Sequence, residues 1–232
     1  MVSKKKIILF TTSTLHHLYF IKILNSIKET EIILFFINDN KEKLTKKQSQ
    51  FEKNNFFKNI KYISNNKKFF YKNINSTSVI KKIKEINPTL GILFGTKKVN
   101  QEFIEIFNNK LINIHRGIME KYRGLDSEFW ASYFKDFKSI GTTIHLVNHE
   151  LDKGKIIFQK KLILKKNMKC YQLRYYTTMI AANLISKIIN MILNNRVVFF
   201  KNQKYGKYYS SISKYQKTKA CKFFEFYTKK IK

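Results

Sequence analysis

The sequence predicts an α/β protein: a Rossmann-like, mostly parallel twisted sheet with helices on both faces, plus a short C-terminal extension. Short apolar runs typical of buried strands alternate with stretches of helical apolar spacing. Only one proline and seven glycines occur in 232 residues, so most of the chain can adopt regular structure. The hydrophobic fraction of 44%, with 21 Phe and 13 Tyr, is sufficient for a core.

The first half of the chain is predicted as parallel α/β units, because strand, helix and strand follow one another closely. The predicted elements are a strand over 5–10, a helix from Leu15, a strand over 32–37, a short helix near 44–54, a weak strand near 60–63, a helix over 76–84, a strand over 90–94, a helix over 100–107 capped by Asn100, and a strand over 111–114.

The second half is predicted to close the sheet and then leave it. The predicted elements are a helix over 126–134, paired strands over 142–147 and 155–164, a long amphipathic helix from Leu173 to Met191, and a hairpin with strands at 197–201 and 206–211. Residues 212–232 are too basic for an assignment. We therefore predict a catalytic domain over 1–195 and a basic extension over 196–232.

The formal charge of +31 is compatible with binding to nucleic acid or to an anionic membrane surface. Of the 46 basic residues, however, only four are arginine, and the lysines are spread along the chain. Lys, Asn, Ile and Phe share A/T-rich codons, and specific phosphate or base recognition favours the arginine fork. We expect a solvated surface that attracts small anions, and we do not expect a nucleic-acid partner.

The cysteines and the apolar segments bear on the compartment. Cys170 and Cys221 are predicted to form neither a disulfide framework nor a zinc site, which suits a reducing environment. The apolar run near the N-terminus is too short for a signal-peptide core. Polar residues interrupt the apolar stretch over 179–193, so no membrane span is expected. A cytoplasmic location is predicted.

The unusual residues gather in one window. Six of the seven glycines, the single Trp130 and three of the five histidines lie between residues 91 and 154. Within it, Asn113 and His115 alternate along a predicted strand, so they share one face at its carboxyl end. Ligands of open α/β sheets bind at that edge. Asp152 lies in a turn between two later strands, where its carboxylate is available.

Five short motifs occur in order in this window: N-x-H at 113–115, Y-R-G at 122–124, W-A at 130–131, G-T-T-I-H at 141–145 and L-D-x-G-x-I-I-x-Q at 151–159. Together they resemble the folate-dependent formyltransferases, a group that includes glycinamide ribonucleotide, methionyl-tRNA and sugar-nucleotide enzymes. The resemblance is dense from Asn87 to Lys165 and only topological from Lys4 to Asn38. It implies a folate-dependent one-carbon (hydroxymethyl- or formyl-) transferase with 10-formyltetrahydrofolate as cosubstrate and no metal.

The resemblance also implies catalytic roles. The Asn113 amide and the His115 imidazole would stabilise the oxyanion of the formyl group, usually the largest catalytic contribution in such reactions. Asp152 would hold His115 and accept a proton, directly or through water. Asp126 and Glu150 are weaker candidates for this carboxylate. His145 and His149 have a spacing that suits a metal only on a helix, and the pattern there indicates strand and loop.

Binding residues follow from the same resemblance. The predicted folate-binding residues are Leu93, Phe94, Gly95, Thr96, Lys97, Glu150 and Leu151. The predicted acceptor-binding residues are Thr12, Ser13, Arg116 and Arg123. Two alternatives stay open: Gly95 can simply end a strand, and Arg123 can equally be a structural salt-bridge partner.

The acceptor predicted from the sequence is an amino-sugar nucleotide, with glycinamide ribonucleotide and methionyl-tRNA as alternatives. The turn over 10–14 lacks the glycines of a phosphate cradle. Too few residues follow the paired strands for a separate tRNA-binding domain, whereas a short hairpin suits the sugar-nucleotide enzymes and predicts a homodimer. A non-catalytic, Lys-rich nucleic-acid-binding protein on the same fold is the alternative of another class.

Overall fold

A computed structural model describes residues 4–38, 44–200 and 203–232. Within them, seven strands form one sheet in the order β3-β2-β1-β4-β5-β7-β8, and two short strands, β6 and β9, form a second. The strands are β1 Lys5–Thr11, β2 Thr30–Ile37, β3 Lys68–Tyr71, β4 Leu90–Leu93, β5 Leu111–His115, β6 Tyr122–Gly124, β7 Gly141–Leu146, β8 Ile156–Lys161 and β9 Lys207–Tyr209. The helices are α1 Leu15–Leu24, α2 Lys46–Phe57, α3 Thr77–Ile86, α4 Gln101–Glu105, α5 Ser127–Tyr133, α6 Leu173–Leu193 and α7 Lys214–Lys229.

Strands β1 to β5 are mutually parallel, and β7 and β8 extend the sheet in antiparallel fashion. Strand β1 shows why the sheet is covered on both faces. Ile7 and Leu9 face a core formed with α1 and α6, whereas Ile8 and Phe10 face a second core formed with α3 and α4. Burial on both faces is characteristic of parallel sheets. The predicted fold class is confirmed.

The predicted weak strand is wrong in position. Residues 60–63, all described by the structure, form no strand, and Ile60 and Ile63 are exposed. The strand is β3, where Phe69 pairs with Phe35 of β2. Its Phe69 and Tyr71 side chains pack on the α3 side of the sheet, so burial of alternate aromatic residues decides the position.

The predicted C-terminal hairpin is also wrong. Residues 197–200 form no strand, and Lys201 lies outside the described residues. Strand β9 pairs instead with β6, in parallel, and Tyr209 stacks against Trp130 of α5. The basic tail forms α7, which begins with a capping box between Ser213 and Gln216. Long-range pairing with β6 replaces the local hairpin, and the division at residue 195 stays a prediction.

The expectation for the cysteines is corrected by the structure. Cys170, just before α6, and Cys221, on α7, form a disulfide with their Cα atoms 5.2 Å apart. The two residues meet because α7 folds back onto α5 and the start of α6, which local sequence does not reveal. Cysteine usage therefore no longer supports a reducing compartment. The cytoplasmic location stays a prediction.

Helix α6 is the longest helix of the described chain. The segment Cys170–Leu193 has the length and mean hydropathy, 1.3, of a membrane-spanning helix, and 44% of its most apolar window is buried within the protein. Core helices meet the same two criteria. Ala181, Ile185 and Ile189 of α6 are fully buried against the sheet and α1.

Candidate active site

A cavity of about 690 Å³ lies at the carboxyl ends of β1, β4 and β5. The turn after β1, the segment after β4, the start of α5 and the loop between β7 and β8 complete its walls. Twelve of the fourteen residues predicted for the site line it: Thr12, Leu93, Phe94, Gly95, Thr96, Lys97, Asn113, His115, Arg116, Glu150, Leu151 and Asp152. The other two predicted residues, Ser13 and Arg123, are not among the described residues that line the cavity.

The three residues predicted to be catalytic converge. The Asn113 amide nitrogen Nδ2 donates to Asp152 Oδ1 at 3.1 Å. His115 Nδ1 lies 3.5 Å from Asp152 Oδ2. Asn113 and His115 share one face of β5, and the loop after β7 folds back to bring Asp152 against that face. An amide, an imidazole and a carboxylate therefore meet within one cavity wall.

Asp152 is held in an uncommon conformation with φ 48°, which aspartate tolerates better than most residues. Its side chain is 5% exposed, and Oδ2 accepts a hydrogen bond from the Gly124 amide at 2.8 Å. Burial alone would raise the pKa of Asp152. His115, His145 and the Gly124 amide outweigh it and hold that pKa below its ordinary range. Asp152 is therefore ionised near neutral pH.

The second nitrogen of His115 is also engaged. His115 Nε2 lies 2.9 Å from the Tyr122 carbonyl oxygen and 3.2 Å from the Ser127 hydroxyl. Because a carbonyl oxygen only accepts, Nε2 carries a hydrogen. His115 Nδ1 faces the Asp152 carboxylate, so both ring nitrogens are engaged. An N–H group of this ring is a suitable donor to a developing negative charge.

His145 is a site residue that the sequence analysis considered only as a metal ligand. Its Nδ1 lies 2.7 Å from the Leu146 carbonyl oxygen, and its Nε2 lies 3.2 Å from Asn113 Nδ2 and 3.4 Å from Asp152 Oδ1. The antiparallel register places His145 directly opposite Asn113. His145 could have been identified from the alternation along the strand over 141–147, combined with the hypothesis that this strand pairs with β5.

The Asn113 amide is oriented by these neighbours. Its Nδ2 donates to Asp152 Oδ1 at 3.1 Å and lies 3.2 Å from His145 Nε2. Donation to a substrate oxygen must be compatible with these two contacts or replace one of them. Apo active sites commonly hold their donors in such internal contacts until substrate binds.

The predicted folate-binding segment forms one side of the cavity. Gly95 has φ +77°, and an added Cβ would lie 2.6 Å from His17 Nε2. Glycine is thus required both for the turn and for the close approach of His17. Glu150 lies at the exposed rim, paired with Lys153, which lowers the pKa of Glu150.

The first turn of α1 contributes two cavity histidines, His16 and His17, that were not predicted from the sequence. The Thr12 and Thr14 hydroxyls lie 2.7 and 2.9 Å from His17 Nδ1, and the His16 and His17 ring centroids are 3.8 Å apart. Burial lowers the pKa of both histidines well below the ordinary value; His17 and then the nearby arginines add to this for His16, and the arginines add to it for His17. Both are therefore neutral near pH 7, and no local motif marks them.

Two further arginines border this end of the cavity. Arg116 Nη1 lies 3.0 Å from Glu128 Oε1. Arg174 of α6 also lines the cavity, and it forms a buried two-point ion pair with Glu52 of α2, with Nε–Oε1 at 2.7 Å and Nη2–Oε2 at 2.6 Å. The sequence analysis did not select Arg174, because its partner is distant in the chain.

The remaining carboxylate candidates and Arg123 have other contacts. Asp126 lines the cavity, but its Oδ2 accepts from the Ile212 amide at 3.1 Å. Arg123 donates from Nε to the Gly206 carbonyl at 2.6 Å and from Nη1 to the Leu151 carbonyl at 3.2 Å. In the described part of the chain, no group of three His, Cys, Asp or Glu side chains has the geometry to hold a metal ion.

Curated relatives match part of the chain. A formyltetrahydrofolate deformylase of Haemophilus influenzae is 28% identical over 123 residues, 53% of this chain and 44% of its own length. A methionyl-tRNA formyltransferase of Borrelia duttonii is 26% identical over 141 residues, 60% of this chain and 45% of its own length. The aligned part of this chain thus spans under half the length of these relatives.

Solved structures share the fold over most of the chain. A sugar N-formyltransferase from a Shewanella species has a TM-score of 0.64 and 17% identity, covering 93% of this chain and 86% of its own. The formyltransferase PseJ of Anoxybacillus kamchatkensis, in complex with UDP-4,6-dideoxy-4-formamido-L-AltNAc and tetrahydrofolate, has a TM-score of 0.57 and 19% identity, covering 88% and 85%. A phosphoribosylglycinamide formyltransferase of Anaplasma phagocytophilum has a TM-score of 0.61 and 17% identity, covering 90% and 99%.

The family model described as "Formyl transferase" matches residues 5–189, which include all seven strands of the main sheet and most of α6. Its description concerns formyl groups, and nothing in the comparisons supports hydroxymethyl transfer. Since the match covers most of the chain, the chain belongs to the formyl transferase family.

Proposed function

We propose that this protein is an N-formyltransferase that moves a formyl group from 10-formyltetrahydrofolate to a primary amine. The observation that carries the proposal is the convergence of Asn113, His115 and Asp152 at one cavity wall. Membership of the formyl transferase family supports the reaction class.

In the proposed reaction, a neutral amine attacks the formyl carbon and the formyl oxygen becomes negatively charged. His115 exchanges one of its internal contacts to donate a hydrogen bond to that oxygen, and Asn113 donates to it as well. The bond from the formyl carbon to the folate N10 then breaks, N10 takes up a proton, and the amine nitrogen loses one. The low pKa of Asp152 makes it a weak base, so we assign it two tasks: to orient the His115 ring and to relay the amine proton.

For the folate, we propose that the Leu93–Lys97 segment and the loop at Glu150 and Leu151 hold the pterin. These residues line one continuous side of the cavity, and Gly95 permits close approach of backbone. Backbone amides and carbonyls in such a segment can pair with the edge of a flat heterocycle. The tetrahydrofolate bound in the PseJ structure supports this choice of cosubstrate.

For the acceptor, we propose an amino-sugar nucleotide bound between Thr12, Arg116 and the catalytic residues. Arg116 and Arg174 line this end of the cavity, and a guanidinium paired with one carboxylate still has N–H donors that suit a diphosphate. Sugar N-formyltransferases among the structural neighbours support the same class. Glycinamide ribonucleotide and methionyl-tRNA are the alternatives, supported by the Anaplasma and Borrelia proteins.

A hydrolase is a second candidate, because one of the curated relatives is a formyltetrahydrofolate deformylase. Water would then take the place of the amine, and formate would be released. The same three residues would serve, so the distinction lies in the acceptor and not in the catalytic wall.

The partner assignments also stay proposals. Tyr215 and Phe226 of α7 are exposed by 66% and 63%, and a homodimer through the C-terminal extension would bury them. We continue to expect no nucleic-acid or membrane partner.

The test is to incubate the purified protein with 10-formyltetrahydrofolate and, separately, amino-sugar nucleotides, glycinamide ribonucleotide, methionyl-tRNA or no acceptor. Tetrahydrofolate and formate are both measured. Tetrahydrofolate without formate, with one acceptor class only, supports the transferase; formate without any acceptor identifies a deformylase. Release of neither product under any condition contradicts both.

The nucleic-acid alternative is tested in the same preparation. A dedicated nucleic-acid-binding protein would bind nucleic acid tightly, and its affinity would fall steeply as the salt concentration rises. The substitution Asn113→Ala would leave that affinity unchanged.

A further inference from the structure

We propose that the C-terminal segment 203–213 is a positioning element of the active site, which holds the Asp152 carboxylate in place through Arg123 and Gly124 of β6. The test of this inference by formyl transfer rests on the proposed function, whereas its test by titration of the Asp152 carboxylate does not. Residues 203–213 lie after the matched family region and are named here the strap.

The strap is bound mainly through backbone groups to the chain segment that precedes α5. Besides the β6–β9 pairing, the Gly206 amide donates to the Met119 carbonyl at 3.1 Å, and the Leu125 amide donates to the Tyr209 carbonyl at 3.0 Å. Trp130 Nε1 donates to the Ser210 carbonyl at 2.8 Å. Backbone pairing on this scale sets the position of residues 119–125 relative to the strap.

The strap also forms hydrogen bonds with the segment that carries Asp152. The Gln203 side chain donates to the Gly154 carbonyl at 3.1 Å and accepts from the Ile156 amide at 2.8 Å. Arg123 joins the two sides, because its guanidinium contacts both the Gly206 carbonyl of the strap and the Leu151 carbonyl. Its fork suits such bridging, so we assign Arg123 as a positioning residue.

The carboxylate itself is reached through Gly124. The Gly124 amide donates to Asp152 Oδ2 at 2.8 Å, and an added Cβ on Gly124 would lie 2.1 Å from the Tyr209 carbonyl oxygen. Gly124 is thus enclosed between the strap on one side and the carboxylate on the other. Among the described residues, the Gly124 amide is the one backbone donor to this carboxylate. A displaced strap therefore moves that donor.

The ionisable groups around Asp152 come from several elements. His115 of β5 and His145 of β7 contact the carboxylate, and Glu150, Lys153 and Arg123 lie near its loop. The sheet holds the two histidines, whereas the strap holds the Gly124 amide. Disturbing the strap therefore separates the effect of the Gly124 amide on the Asp152 carboxylate from the effect of the histidines.

Gly206→Ala is the sharpest disturbance. Gly206 does not line the cavity, and an added Cβ would lie 2.3 Å from the Lys121 carbonyl carbon and 2.6 Å from the Lys121 nitrogen, so the strap must shift. Ser211→Ala, an exposed position on the same strap, is the matched control. Arg123→Lys keeps the charge but loses the two-point bridge, and it serves if Gly206→Ala does not fold.

The first readout needs no substrate. The sequence contains four aspartates, at 39, 126, 136 and 152, so selective ¹³C labelling of aspartate carboxyl carbons yields four signals, and Asp152→Asn identifies one. In wild type and Ser211→Ala, the Asp152 signal should not titrate above the acid unfolding transition. In Gly206→Ala and Arg123→Lys, it should titrate at higher pH, because a donor to the charged form is lost.

The second readout is formyl transfer. We expect kcat to fall about 10- to 100-fold in the two strap variants, with KM for 10-formyltetrahydrofolate nearly unchanged, since misplacement by about 1 Å has effects of this size. A folded strap variant whose Asp152 signal behaves as in wild type overturns the inference, even if its melting temperature falls. Wild-type protein that transfers no formyl group defeats the proposed function, and the titration alone then decides this inference.

Discussion

The two halves of the candidate active site are held in different ways. Asn113, His115 and His145 project from neighbouring strands, where backbone register alone sets their spacing. Asp152 projects from a loop, and its position depends on Gly124, Arg123 and a segment more than fifty residues later in the chain. The sheet half is therefore a property of the fold, whereas the loop half depends on tertiary contacts that can be removed one at a time.

The largest expected effect is on the sheet half. Asn113→Ala and His115→Ala should each lower kcat for formyl transfer by about 10²- to 10⁴-fold, because each removes a donor to the oxyanion. Initial rates of tetrahydrofolate release measure the loss. His149→Ala, at an exposed loop position, is the control and should retain activity. Variants as active as wild type would refute the assigned roles.

Next in size is the ion pair between Arg174 and Glu52, which ties α6 to α2 behind the sheet half. Glu52→Gln should lower the free energy of unfolding by about 3–5 kcal/mol, because it removes the charge that Glu52 places against a buried guanidinium. Urea unfolding measures the change. Glu102→Gln breaks the exposed pair with Lys84 and should cost less than about 1 kcal/mol; similar values for both variants would contradict the burial argument.

The disulfide bears on the loop half, since α7 packs on α5 and continues from the strap. Replacing both Cys170 and Cys221 by serine should lower the free energy of unfolding by about 2–4 kcal/mol, the usual contribution of a disulfide. Thermal unfolding with and without a dithiol reductant measures it, and the double variant should be insensitive to the reductant. If reductant leaves wild-type unfolding unchanged, the disulfide does not stabilise the fold.

The smallest expected effect concerns the pH dependence of stability. The pKa of Asp152 is depressed in the folded protein, so its contribution is present above its unfolded value of about 4 and is lost as pH falls below it. In Asp152→Asn, the fall in unfolding free energy on going from pH 7 to acid should be smaller by up to about 2 kcal/mol. Denaturant unfolding at several pH values measures how the unfolding free energy changes with pH. If it changes in parallel for wild type and Asp152→Asn, the pH dependence comes from a group other than Asp152.

Sequence reasoning was most accurate where the governing interactions are local. Short apolar runs predicted β1 and β4 of the sheet, and N-x-H predicted two neighbouring polar side chains on one face of β5. It was wrong where distant segments compete. The expected hairpin is a single strand, β9, paired with β6, and the supposedly separate cysteines are joined.

The site shows the same division. Asn113, His115 and Asp152 were selected because the short motifs that contain them resemble those of a known family, and the folate segment was selected on the same resemblance. His145, His17 and Arg174 were missed, because each joins the cavity through a partner on another element: Asn113, Gly95 and Glu52, respectively. Arg123 was assigned to the acceptor, but its contacts lie with the strap and the Leu151 carbonyl.

The sequence by itself determined most strands and helices of the main sheet, the family and the identity of the central polar residues, because apolar periodicity and short motifs act over a few residues. Only the tertiary structure decided which charges are paired, which histidines are buried neutral and how Asp152 is held. Those properties depend on burial and on hydrogen-bond partners far apart in the chain, and no local pattern encodes them.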